Sequence, residues 1–214
     1  VGFGLRDSIM DVAVLQYQEI QLYDGMIIEK DDASAEEIQQ LEETVRSNAH
    51  VTDQKEVYKK NLTMKHEKNH REVYLMVPDT TEDFDHFVLL RDRKTKETYQ
   101  LDDTGIVLAE KTAKLLGVEK GDTIEIDRGD GTTVSVPVGN VCENYMMHYA
   151  YLSPNLYEEI FGEPAVYNNL IFITNQDSEE EIEQTGAEFM TEEAALSVSY
   201  MGSVKQRVDD MLTS

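Results

Sequence analysis

Residues 104–127 read TGIVLAEKTAKLLGVEKGDTIEID, and the fold class follows from how that stretch divides. Gly105-Ile106-Val107-Leu108 opens it with a short apolar run, the length of a strand rather than a helix. Ala109, Ala113 and Leu116 then recur at helical spacing. Gly117 follows as the residue that takes the left-handed conformation stopping a helix, and Lys120-Gly121-Asp122 turns the chain. Beyond the turn Ile124 and Ile126 alternate. Across Gly129-Asp130-Gly131 so do Val134, Val136 and Val138, which predicts a hairpin because its tight turn demands positive φ. Strand, helix and hairpin in direct succession predict a mixed α+β fold.

Outward from this stretch, two strand-helix-strand units appear near the chain ends. In the first, DGMIIE (24–29) is a strand, and Ser34 with Glu37 predicts a capping box. Ile38, Leu41 and Val45 line one helical face, and a strand follows near 51–63. In the second, NLIFIT (169–174) is a strand, Ser178 with Glu181 predicts another capping box, a helix runs toward Phe189, and Leu196–Tyr200 is a short strand. Between them REVYLMVP (71–78) and FVLLR (87–91) read as strands. The expected architecture is therefore α+β, with an α/β layer built from both ends and a β-rich module inserted into it.

The ends themselves have helical spacing. Leu5, Ile9, Val12, Ala13, Tyr17 and Ile20 share one face, and Val204, Val208, Met211 and Leu212 another, with no glycine or proline stop before Ser214. The first residue is Val1. Both ends read as helices that continue in a longer protein.

Charge narrows the function classes. Of 214 residues 43 are acidic and 19 basic, a formal net charge of -24, so the long-range field repels nucleic acid and anionic lipid surfaces. The densest basic run, RDRKTK (91–96), is short and reads as a solvated turn. Cys142 is the one cysteine, which rules out an intramolecular disulfide framework and a multi-cysteine zinc site. A glycine-rich phosphate loop ending in Lys-Ser or Lys-Thr is missing, so ATP is not bound by that route.

Several motifs carry chemistry on paper. His66, Glu67 and His70 in HEKNH (66–70) spell the HExxH pattern of zinc hydrolases, which need both histidines on one face of a helix packed behind the metal. Here Lys65, Lys68, Asn69 and Arg71 offer no apolar face and place cations where a dication would sit. VYKKNLTM before it and REVYLMVP after it both alternate, so HEKNH is expected to be the loop between two strands. Arg128-Gly129-Asp130 spells an adhesion triplet, which the hairpin turn already accounts for. SEEEIE (178–183) lacks the glycine-centred loop of a calcium site and reads as helix-start acids facing the dipole. Tyr145, His148, Tyr149 and Tyr151, around Met146 and Met147, are either core packing or a contact patch.

As a pattern, residues 105–122 resemble a segment of the MacB-like extracytoplasmic core domain of FtsX-like ABC transporter permeases. GFGLRDSI (2–9) is similar to the helix leaving the first membrane span of such permeases in Gram-positive bacteria. HYAYLSPNLYEEIFGEPAVYNNLIF (148–172) is similar to their signature around a helix opened by Ser153-Pro154. The resemblance covers most of the chain. It implies a domain on the extracellular side of the cell membrane, between two transmembrane spans. It implies a porter-like, membrane-proximal part, assigned to residues 1–63 and 151–214, and a sabre-like, β-rich part, assigned to 64–150. It also implies a permease dimer, a separate cytosolic ABC ATPase, and a peptide, lipid or protein partner outside the cell.

The resulting expectation is a non-enzymatic domain, without catalytic, cofactor-binding or metal-ligating residues and without cofactors. It would relay ATP-driven motion to export, extraction or regulation outside the membrane. Two other readings stand beside it: a secreted or surface zinc hydrolase using HEKNH (66–70), and a passive extracellular ligand-binding module.

Overall fold

The structure, a computed structural model, describes Gly4, Ser8 and residues 11–202. In chain order its elements are β1 (Gly25–Glu29), α1 (Ala35–Ser47), β2 (Val51–His66), β3 (Asn69–Pro78), β4 (Ile106–Ala109), α2 (Glu110–Leu116), β5 (Thr123–Asp127), β6 (Thr133–Cys142), β7 (Tyr149–Tyr151), α3 (Pro154–Phe161), β8 (Asn169–Thr174), α4 (Glu179–Phe189) and β9 (Ala195–Tyr200). The fold is mixed α+β. A helical segment through residues 11–20 precedes β1; its last turn, Leu15–Ile20, is a π-helix that buries Gln16 and Ile20. The expected helical positions Leu5, Ile9, Val204, Val208, Met211 and Leu212 lie outside the described residues.

The chain divides into two compact units. One holds the residues up to Val57, His86–Val88 and those from Asn168 onward; the other holds Tyr58–Asp85 and Leu89–Tyr167. The long strand β2 runs from the first into the second.

In the first unit the strand order is β2, β8, β1, β9, with antiparallel pairing throughout. Ile27 of β1 lies opposite Leu170 of β8, and α1 and α4 supply Leu41, Val45 and Phe189 to the core they share with Ile27, Leu170 and Phe172. Each of these fully buried side chains contributes about 1.5–3 kcal/mol by leaving water. Helix α1 starts where the sequence predicts. Ser34 Oγ accepts from Glu37 N at 3.1 Å, and Ser34 N donates to Glu37 Oε1 at 2.8 Å. At α4 the forward bond forms, Glu181 N to Ser178 Oγ at 3.3 Å.

In the second unit the order is β3, β7, β4, β6, β5, β2, and β2 also pairs with β3, so the six strands close into a circuit. The predicted hairpin is present, with Ile124 opposite Val136 and Ile126 opposite Val134. Two pairings are parallel, β3 with β7 and β4 with β6. Inside lie Met64, Val73, Leu75, Ile106, Leu108 and Ile126, all 0% exposed. Gly117 ends α2 at φ 75, the left-handed stop the sequence calls for. Gly105 allows the run into β4 to pass close to β6: a Cβ there would sit 2.5 Å from the backbone nitrogen of Gly139.

The segment 87–91 departs from expectation. It is no strand; single bridges join Val88 to Gln21 and Arg91 to Thr98. Phe87, Val88 and Leu90 are nonetheless buried. An apolar run reports burial, and burial alone does not supply a ladder partner.

Candidate functional site

HEKNH forms a β-turn rather than a helix. Glu67 and Lys68 are the two turn residues joining β2 to β3, with Glu67 at φ 53. His66 Nδ1 donates to Thr123 O at 3.0 Å, and Asn69 Nδ2 donates to Leu116 O at 3.0 Å, while His70 is exposed. Strand alternation around a two-residue turn puts His66 with Asn69 on one face and His70 on the other. The helical face that would bring both histidines to one ion is replaced by a hairpin.

Arg128-Gly129-Asp130 is used by the β5–β6 turn. Arg128 N donates to Thr132 O at 2.9 Å, and Asp130 Oδ1 accepts from Thr132 N at 2.9 Å. The Asp130 carboxyl lies below its ordinary range because Thr132 bonds to it.

The basic run 91–96 is a turn, but not a purely solvated one. Glu143, 0% exposed, accepts from Arg91 Nε at 3.0 Å and Nη2 at 3.3 Å, from Lys96 Nζ at 2.8 Å and from Tyr145 OH at 2.6 Å. Burial alone would raise the Glu143 carboxyl, but the donors Arg91, Lys96 and Tyr145 together hold it below its usual value. Burial, and then the Glu143 charge, push the Tyr145 phenol up to about 12. This node fastens the 91–96 turn to the end of β6. The remaining aromatic residues of the 145–151 stretch are mostly interior: Tyr149 and Tyr151 are buried and stacked, with centroids 6.2 Å apart. Met147 alone of that stretch is largely exposed, at 53%. Cys142 is buried, and burial pushes its thiol up to about 12.

Two features have no local signal in the sequence. In the first unit Glu29 and Glu56 are 3% and 7% exposed. Both point to the same face as Ile27 and Leu170, since alternate strand residues share a face. Neither oxygen of Glu29 has a hydrogen-bond partner, and the Glu56 carboxyl lies near enough to influence its ionisation. Burial raises the Glu29 carboxyl above its ordinary value, more than Glu56 lowers it, and the Glu42 charge raises it further.

The second is a cleft of about 210 Å³ in the second unit. Tyr58, Lys60 and Leu62, alternate residues of β2, form one wall, and Tyr157 and Phe161, one helical turn apart on α3, form the other. The rings of Tyr157 and Phe161 stack at 4.3 Å, and Tyr58 lies 5.5 Å from Tyr157. Burial, then the neighbouring Tyr157, raise the Tyr58 phenol well above its usual range. The Arg128 guanidinium lies 5.5 Å from the Phe161 ring centre, and Val166 at the rim is 78% exposed. Local spacing pairs residues 58, 60 and 62 on one strand face and Tyr157 with Phe161 on one helix face. The rest meet because β5, α3 and the loop after it converge in space.

No protein-family model matches this chain, and no curated protein matches it. Solved structures do share its fold. The extracellular domain of the noncanonic ABC-type transporter YknZ from Gram-positive bacteria superposes with TM-score 0.50 at 17% identity, covering 83% of this chain and 98% of that one. The periplasmic region of MacB from Actinobacillus actinomycetemcomitans superposes with TM-score 0.50 at 11% identity, covering 90% of this chain and 95% of that one. The chain therefore shares its fold with the extracellular domain of YknZ and the periplasmic region of MacB. No helix among the described residues is long and apolar enough to cross a membrane.

Proposed function

We propose that this chain is the extracellular domain of an FtsX-like, MacB-type ABC transporter permease in the cell membrane of a Gram-positive bacterium. The observation that carries the reading is that the fold spans 98% of the YknZ extracellular domain, so the whole of that domain, rather than a shared submotif, is represented here. In this reading residues 1–63 and 151–214 form the porter-like, membrane-proximal part and residues 64–150 the sabre-like, β-rich part. The domain performs no bond-breaking chemistry of its own. A cytosolic ABC ATPase supplies the energy, the permease works as a dimer, and tilting of the transmembrane helices moves packed elements of the domain as rigid bodies. The motion serves export, extraction or regulation outside the membrane.

The parent gene tests this directly. Hydrophobic spans on both sides of the sequence, with an ATPase gene adjacent, are the expected finding. A parent protein lacking such spans overturns the reading. In the full-length permease, a cross-link restraining the two chain ends is expected to abolish function, and undiminished activity would refute the relay.

A further inference from the structure

We propose that the cleft of the second unit formed by Tyr58, Lys60, Arg128, Tyr157, Phe161 and Val166 is a docking site for an acidic segment of a protein partner, one that presents an apolar side chain flanked by carboxylates. The inference rests on the reading above only for where that partner is found. The cleft chemistry stands without it.

Charge is the first argument. In a chain with 43 acidic and 19 basic residues, this cleft reverses the local sign: Lys60 and Arg128 line it against the single acid Glu163. Among the described residues neither cation is held in an ion pair. Arg128 rests over the Phe161 ring, which leaves the guanidinium edge free to take a carboxylate through paired N–H donors. A carboxylate bound there would be drawn in by the local cations while the overall field repels anions that lack a specific seat.

Composition and size say what else the occupant carries. Tyrosine, phenylalanine and arginine beside one another are the residues that dominate binding energy at protein interfaces. The stacked Tyr157 and Phe161 rings, with Tyr58 beside them, make a ledge for an aromatic or aliphatic side chain. At about 210 Å³ the cleft is smaller than the roughly 300–1,000 Å³ that encloses a free small molecule. Its apolar surface also continues onto Val166 at the rim, 78% exposed. A single side chain from a larger partner fits both facts, with the partner's body covering Val166.

The test uses this chain, ¹⁵N-labelled, titrated with the capped synthetic peptide Gly-Glu-Phe-Glu-Gly at up to about millimolar concentration, where weak binding is still populated. Amide shifts confined to residues 58–62, 128 and 157–166 are expected. Arg128→Glu or Lys60→Glu should weaken binding about tenfold or more, the loss of one charge-assisted contact. Both side chains face solvent at the cleft, and an unchanged spectrum elsewhere shows that the variant has folded. The peptide Gly-Lys-Phe-Lys-Gly should bind at least as weakly as the variants do. Absence of shifts, shifts centred elsewhere, or equal binding of the lysine peptide overturns the proposal. So do the same shifts produced by phosphatidylglycerol vesicles alone, which would assign the cleft to lipid. None of these outcomes bears on whether the parent protein is a permease, which the gene decides separately.

Discussion

Glu29→Gln should stabilise the first unit at alkaline pH and leave it nearly unchanged at acid pH. The Glu29 side chain is 3% exposed, and neither of its oxygens has a hydrogen-bond partner. Because burial raises its folded-state pKa above the unfolded value, the group favours folding fully below the unfolded pKa. That contribution is lost as pH rises through the folded pKa. At pH 8 the wild type either retains a proton at a cost or leaves a buried carboxylate unsatisfied, a penalty of about 1–3 kcal/mol and more for a charge. Glutamine has the same shape, stays neutral, and can donate an N–H to Glu56. The expected gain of about 1–3 kcal/mol corresponds to a rise in Tm of about 2–12 °C for a chain of this size. The assay is calorimetric unfolding of wild type and variant at pH 5, 6.5 and 8. Self-repulsion of a chain with net charge -24 also weakens it at high pH, so the diagnostic quantity is the difference between the two pH slopes. Parallel slopes, or a variant destabilised equally at every pH, would refute the account of a buried carboxyl with a raised pKa.

Other outcomes are equally concrete. Glu143→Gln leaves buried Arg91 without its counter-charge, and urea unfolding should show a loss of about 3–5 kcal/mol; a loss below about 1 kcal/mol would make the node ornamental. Its pH sign is opposite to that of Glu29: with a lowered folded pKa, its contribution is present above the unfolded pKa and lost as pH falls through the folded one. Gly105→Ala pushes a methyl into the backbone at Gly139 and is expected to cost at least about 1–3 kcal/mol, measured by the same titration. Cys142, buried with its thiol pushed up to about 12, should resist thiol reagents at pH 8 until denaturant is added; prompt stoichiometric labelling would contradict its burial. His66→Ala should cost about 0.5–1.5 kcal/mol through the lost bond to Thr123, and metal analysis before and after the change should show no stoichiometric zinc to lose.

Where local interactions decide, the residues were readable. Ser34 and Glu37 sit three apart, so their capping box needs no distant partner. The β5–β6 hairpin needs only alternation and a turn, and Gly117 only its own backbone. The HEKNH stretch was readable as a loop for the same reason, though it is tighter than expected: the turn itself is Glu67-Lys68, and both histidines lie within strands. FVLLR was not readable, because whether a buried extended segment joins a ladder depends on what lies beside it. RDRKTK was half readable. Asp92 Oδ1 accepts from Lys94 N and Thr95 N as a local turn does, but the buried partner of Arg91 is 52 residues away.

By itself the sequence determined most elements of this protein, β7 and the segment 87–91 being the exceptions, and that the whole is acidic and mixed α+β. Those properties arise from side-chain spacing and backbone preference within a few residues. Only the tertiary structure decided the pairing of β2 with β5 that completes the circuit of six strands, the parallel pairing of β3 with β7 and of β4 with β6, the meeting of Glu29 with Glu56, and the gathering of Tyr58, Arg128 and Phe161 around one cleft. Each joins residues far apart in the chain, where the partner is selected by the packing of the entire core and leaves no mark in local spacing.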